Sequence, residues 1–207
     1  MLNVHARAAV SKALEPVGAR LARAGVTPNA VTVFGTVGAV AACVAFFTTG
    51  RWVIGTVLVT VFVLLDMVDG AVARAGGHMS KFGGVLDSSC DRIADAAIFG
   101  TLAWYFARHD QRWMLLAALL CLVLGSLTSY IRARAEAAGL SATVGIAERA
   151  ERLIGVLVGT GLTGLGVPFV LAVALWLLVA ASAVTVVQRL STVYRQSREP
   201  AREPARR

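Results

Sequence analysis

Asp66, Asp69, Asp87, Asp91 and Asp95 fall within a 30-residue window of a chain that has only 12 acidic residues in 207. Asp66 and Asp69 stand at i, i+3, and Asp87 and Asp91 at i, i+4, so in helices each pair projects from one face. Carboxylates brought so close repel one another unless a cation neutralises them. Oxygen donors without His or Cys alongside suit a hard divalent cation, magnesium or manganese, and four of them suit two ions sharing bridging carboxylates. Gly70 lets a ligand approach the backbone, Arg74 one turn on can offer a forked grip to phosphate, and Ser80 adds a hydroxyl in the polar turn 75–81. The plainer alternative, hydrated helix-end aspartates flanked by arginine, calls for no fixed spacing.

The elements that position these groups follow from composition. Hydrophobic residues make up 57% of the chain and charged ones 15%, against about 25% charged in a soluble domain, and the mean hydropathy is +0.71. A soluble enzyme, a disordered chain and a secreted disulfide mini-protein are excluded. The net charge of +8 is therefore read against a lipid bilayer, with no nucleic acid partner implied. Cys43, Cys90 and Cys121 lie far apart in apolar runs and read as packing residues.

Six apolar stretches, at 30–49, 52–73, 84–107, 113–132, 153–166 and 168–187, each approach the roughly 20 residues that a helix needs to cross a hydrocarbon core. The expected fold is an all-α integral membrane protein of six transmembrane helices, preceded by an amphipathic juxtamembrane helix at 1–25. The domain spans 26–195, and 196–207, rich in Arg, Glu and Pro, reads as a disordered cytoplasmic tail. The fifth stretch is short and glycine-rich, and its Gly155-x-x-x-Gly159 spacing suggests a helix contact face.

Basic residues gather on one side of these stretches, including Arg20, Arg23, Arg74, Lys81, Arg132, Arg134, Arg149, Arg152, Arg189 and Arg195, whereas Arg51, Arg108 and Arg112 fall on the other. By the positive-inside rule both termini face the cytoplasm of the plasma membrane. An aspartate at the centre of a membrane helix costs about 2.5–3.5 kcal/mol, so the acidic cluster is expected hydrated or cation-bound, near the cytoplasmic face.

The run Asp66-x-x-Asp69-Gly70-x-x-Ala73-Arg74, then eight residues, then Gly83-x-x-x-Asp87-x-x-x-Asp91 resembles the signature of the CDP-alcohol phosphotransferase family, and the likeness extends from Thr27 to about Arg195. The resemblance implies an enzyme that joins an alcohol to a CDP-linked donor and releases CMP, with two magnesium ions, or manganese, held by Asp66, Asp69, Asp87 and Asp91. It further implies that Asp91 is the general base on the acceptor hydroxyl, that Gly70, Ala73 and Arg74 line the cytidine and diphosphate site beside Ser80, and that the protein is a homodimer. Asp95 stands outside the signature, and its expected role is to orient a ligand or to pair with Arg92 or another basic residue.

Asn29 and Thr32, at the start of the first stretch, can cap its helix; in the family this segment resembles part of the CDP-lipid site. The segment from Ser129 to Glu136, with Glu148 to Arg152 and Tyr194-Arg195, most resembles bacterial phosphatidylinositol phosphate synthases, which use CDP-diacylglycerol and inositol phosphate. Arg132, Arg134, Arg152 and Arg195 are then the candidate acceptor-phosphate site, although each also fits membrane flanking. Where this chain has Arg132 the family favours Lys. Phosphatidylglycerophosphate synthesis from glycerol 3-phosphate would suit the same arginines. An ion transporter, of a different class, would continue its polar residues across the membrane, which this sequence does not.

Overall fold

The computed structural model describes residues 16, 19–21, 23–76 and 80–198, except the side chains of 66–69, 71 and 73–76. Among the described residues the structure is all-helical, without strands. α1 (Pro28–Ala42) continues through a π turn (Cys43–Phe47), followed by α2 (Trp52–Gly76), α3 (Lys81–Arg108), α4 (Arg112–Ala137), α5 (Arg149–Gly164) and α6 (Val170–Arg198). Each expected apolar stretch lies on one of these helices. The largest displacement is at the end, where α6 carries residues 196–198 that the sequence assigned to the tail. Most of the expected amphipathic segment 1–25, and residues 199–207, lie outside the described residues.

Three of the helical stretches, Pro28–Phe47, Arg112–Ala137 and Val170–Arg198, are long and apolar enough to cross a membrane, and Trp52–Leu65 is a shorter apolar stretch. Their outward side chains suit such a setting: Phe34, Val37, Trp113, Leu177 and Val187 are all more than 60% exposed, a surface that water would not tolerate over so wide an area.

The first helix begins two residues earlier than a cap at Asn29 requires. Thr27, not Asn29 or Thr32, is the N-cap, its hydroxyl accepting from Ala30 N at 3.3 Å, because Pro28 takes the first helical position, where its missing N–H costs nothing. The Thr32 hydroxyl donates to Pro28 O at 3.1 Å. Thr36, Thr101, Thr160 and Thr185 bond in the same way to the carbonyl four residues back, so each of these buried hydroxyls has an acceptor on its own helix, and that of Thr160 also bonds to Thr56 of α2 at 2.8 Å.

Helix contacts close a ring: α1 packs on α2, α2 on α5, α5 on α6, α6 on α4, α4 on α3 and α3 on α1. The core inside it draws Phe47, Val59, Phe99, Leu102, Cys121, Val156 and Leu175 from every rod of the ring. All three cysteines are buried and free. Glycines let α5 approach two neighbours. A Cβ at Gly155 would meet Leu178 at 3.2 Å and one at Gly159 would meet Ala174 Cβ at 3.0 Å, both on α6, while one at Gly164 would meet Val53 N and Trp52 Cβ of α2 at 2.8 Å.

Two alanine substitutions should therefore diverge. Gly164→Ala meets backbone and is expected to destabilise by about 1–3 kcal/mol, whereas Gly100→Ala, which meets nothing within 4 Å, should be neutral or stabilise by about 0.5–1 kcal/mol. Thermal unfolding of the two variants in one detergent measures the difference, and equal midpoints would contradict the close α5–α2 approach.

Candidate active site

A cavity of about 720 Å³ opens at the end of the ring where α3 and α5 begin and α4 and α6 end. α3 lines it with Asp87, Ser88, Asp91 and Arg92, and the second half of α4 with Ser126, Thr128, Ser129, Tyr130 and Arg132. The start of α5 supplies Arg149 and Arg152, with Glu148 just before it, and α6 supplies Arg189. One wall is thus acidic and the rest largely basic.

Asp87 and Asp91 are four residues apart on α3, and both face the cavity. Asp91 is ion-paired with Arg149, whose Nη1 lies 2.7 Å from Oδ1, and has Arg92 Nη2 at 3.8 Å from Oδ2. Asp66 and Asp69 lie on the C-terminal part of α2, but their side chains, with those of Ala73 and Arg74, lie outside the described residues. No His or Cys lines the cavity, so the donors that α3 offers are carboxylate oxygens, a set that fits a hard divalent cation such as magnesium or manganese.

Two of the candidate CDP-lipid residues, Ser80 and Asn29, meet at Gly83. Ser80 is the N-cap of α3, its hydroxyl accepting from Gly83 N at 2.9 Å. A Cβ at Gly83 would stand 3.1 Å from that hydroxyl and 3.2 Å from Asn29 Oδ1. The signature glycine thus lets the start of α1 approach the start of α3. Thr32 is buried, and Gly70 is half-buried on α2.

Of the four arginines expected at the acceptor phosphate, Arg132 and Arg152 line the cavity, while Arg134 and Arg195 are exposed and do not. The reason is helical phase. At about 100° per residue, Arg134 points well away from the Arg132 face of α4, and Arg195 lies far round α6 from Arg189. Arg189 occupies the position expected of Arg195. It is 4% exposed and donates from Nε to Val144 O at 2.9 Å and from Nη1 to Thr128 O at 2.6 Å. By sequence alone Arg189 is one of the basic residues that flank a membrane stretch. The available signal was the polar stripe Ser182, Thr185, Arg189 on one face of an otherwise apolar helix, all three of them buried.

Behind the cavity wall lies Asp95, 5% exposed. Arg152 Nη2 donates to its Oδ2 at 3.3 Å, with Arg92 Nη1 3.7 Å from Oδ2 and Arg149 Nε 3.5 Å from Oδ1. The expected pairing of Asp95 with Arg92 is present, joined by two arginines from α5. Arg92 also donates to the Ser129 hydroxyl. Nearer the mouth, Arg132 Nε pairs with Glu136 at 2.8 Å, both about half exposed, a pair worth little to stability.

The segment between α4 and α5 is pinned to α6. Gln196 donates to Ser141 O at 2.7 Å and accepts from Ser141 N at 2.8 Å. The Thr185 hydroxyl accepts from Ile146 N at 3.2 Å and Ala147 N at 3.0 Å. This wall carries Glu148 and leads directly into Arg149 and Arg152.

Comparison with known proteins identifies a family. The family model for CDP-alcohol phosphatidyltransferases matches residues 25–193. The chain is 43% identical over 207 residues to a phosphatidylinositol phosphate synthase of Streptomyces avermitilis, covering 96% of this chain and 85% of that protein. Among solved structures it is similar to Mycobacterium tuberculosis phosphatidylinositol phosphate synthase with CDP-DAG bound, at TM-score 0.83 and 45% identity over 87% of this chain and 93% of the other. It is equally similar, at TM-score 0.83 and 46% identity over 87% and 88%, to the same enzyme in complex with manganese and citrate.

Thr185→Val tests the pinned wall. It removes the acceptor of two amides, and leaving the buried Ala147 N–H unpaired costs about 1–3 kcal/mol. The variant should melt earlier and exchange its Ile146 and Ala147 amide hydrogens faster; unchanged exchange at both would show that α6 does not hold this segment.

Proposed function

This chain belongs to the CDP-alcohol phosphatidyltransferase family, and we propose that it transfers the phosphatidyl group of CDP-diacylglycerol to a hydroxyl of inositol phosphate, with release of CMP. The observation that carries the choice of a phosphorylated acceptor is the cavity itself, which gathers Arg132, Arg152 and Arg189 within reach of Asp87 and Asp91. Glu136 pairs with Arg132 and Asp95 with Arg152, but one carboxylate does not saturate the five donors of a guanidinium, and a phosphate accepts forked donors that an uncharged acceptor such as free inositol meets less well. Glycerol 3-phosphate satisfies the same charges, and the likeness to phosphatidylinositol phosphate synthases favours inositol phosphate over it.

In this reading Asp66, Asp69, Asp87 and Asp91 hold two magnesium ions, with manganese able to replace them. When bound, the cations neutralise the diphosphate and the charge that grows on the departing CMP oxygen. Asp91 accepts the proton of the attacking hydroxyl as that oxygen bonds to the phosphorus carrying diacylglycerol and the bond to the bridging oxygen breaks. Asn29, Thr32, Gly70, Ala73, Arg74 and Ser80 hold the CDP end of the donor. Arg132, Arg152 and Arg189 hold the acceptor phosphate, so that its hydroxyl meets the donor in one orientation.

The basic residues at this end of the bundle support a cytoplasmic placement of the site and of both termini in the plasma membrane, with all six helices crossing. Two copies pair as a homodimer in this reading.

The test is CMP release from CDP-diacylglycerol by purified protein, offered inositol phosphate, inositol, glycerol 3-phosphate or serine, with and without a chelator. Turnover is expected with inositol phosphate alone and is expected to stop on chelation; activity confined to glycerol 3-phosphate would overturn the acceptor, and chelator-insensitive turnover the metal. Asp91→Asn should lower kcat by about 10²–10⁴-fold with the helical content unchanged, and near-normal turnover would remove Asp91 as the base.

A further inference from the structure

We propose that Asp95 and Gly125 form a positioning device that fixes the Arg152 guanidinium for the acceptor's phosphate; the inference rests on reading the cavity as the site of a phosphorylated acceptor. Asp95 does not line the cavity, so it touches no substrate, yet the three guanidinium groups around it, those of Arg92, Arg149 and Arg152, all do. It therefore acts from behind a layer of arginines.

Arg152 is the member of that layer most completely constrained. It is 2% exposed, donates from Nη2 to Asp95 at 3.3 Å, and from Nη1 to Thr128 Oγ1 at 3.4 Å and Ala147 O at 3.3 Å. Space for it comes from Gly125 on α4, which is itself buried. A Cβ there would stand 3.1 Å from Nε and 3.3 Å from Cζ. A side chain larger than hydrogen at this position makes the guanidinium give way by a few tenths of an ångström, and one missing charge at Asp95 leaves it without its anion.

An arginine held in advance spends no rotamer freedom when the phosphate arrives, which strengthens binding without adding a contact. Charge reinforces the geometry. Asp95 offsets part of the repulsion among three cations, which makes their close approach tolerable, but Asp95 and Asp91 together set two carboxylates against three guanidinium groups, and the remaining positive charge is left for the ligand. Because the same carboxylate also reaches Arg92 and Arg149, both of which contact Asp91, the position of the acceptor phosphate is tied to that of the proposed base.

The experiment compares Asp95→Asn, Asp95→Glu and Gly125→Ala with the unaltered chain in the CMP-release assay, titrating inositol phosphate and CDP-diacylglycerol separately. Asp95→Asn should raise the KM for inositol phosphate by about tenfold or more while the KM for CDP-diacylglycerol stays within about twofold. Gly125→Ala, which alters no charge, should move the acceptor KM in the same direction by about three- to tenfold, and Asp95→Glu should recover part of the loss. A role in folding alone would lower kcat through the active fraction, leave both KM values in place and gain nothing from Glu; that result, or an unchanged acceptor KM in Asp95→Asn and Gly125→Ala, overturns the inference. If Asp95→Asn does not fold, the other two variants decide. If the unaltered chain uses glycerol 3-phosphate instead, the acceptor assignment fails while the same KM comparison on that substrate still decides this inference. If it uses neither phosphate, both readings fall.

Discussion

Opposite charge brought together inside an apolar bundle is the constraint on which the rest of this structure turns. Removing one partner of a buried ion pair costs about 3–5 kcal/mol, so Asp95 on α3 and Arg152 on α5, each nearly sealed from solvent, must meet or neither helix can sit where it does. α3 and α5 are not among the principal packing pairs of the ring. The ion network therefore spans the bundle's interior and fixes the heights of helices that side-chain packing alone does not join. The cavity is the space left when those heights are set.

The two ends of the bundle obey different physics. Away from the cavity the chain solves the membrane problem with small residues and self-contained hydrogen bonds: glycines on α5 that admit Leu178 and Ala174, and threonines that return their hydroxyls to their own helices. Trp52, Tyr105 and Phe106 close that end with ring contacts, Trp52 and Tyr105 standing 4.5 Å apart edge to face. At the cavity end, satisfaction is shared among elements: Thr185 and Arg189 each serve a backbone other than their own, and the Thr128 hydroxyl accepts from Arg152. Polar atoms that depend on one another across helices make a stiffer wall than any of them could alone.

The parts legible in sequence were those carried by one helix. The aspartate pairs were visible because i, i+3 and i, i+4 spacing fixes a shared face before any tertiary contact exists, and the six apolar stretches because length and hydropathy are local. What required the fold was phase between helices. Arg195 and Arg189 are alike as basic residues near the end of an apolar run, and only packing decides that Arg189 turns inward. Asn29 was a reasonable cap by residue type, yet Pro28 had already set the start at Thr27. Gly125 carried no mark at all, since its meaning is the guanidinium that lies against it.

The partners in the buried network are far apart in the chain, with Arg152 following Asp95 by 57 residues. During vectorial synthesis α3 therefore emerges with carboxylates whose α5 partners have not been made, and Arg92, three residues from Asp95 on the same helix, is their one companion from that network in the meantime. A helix so burdened keeps its charged end close to water until Arg149 and Arg152 arrive. Ring closure waits longer still, because α6 is the element that joins α5 to α4 and pins the segment between them. The order of synthesis thus makes the cavity the last part of the molecule to assemble, and a nascent chain that stops short of α6 holds no finished pocket.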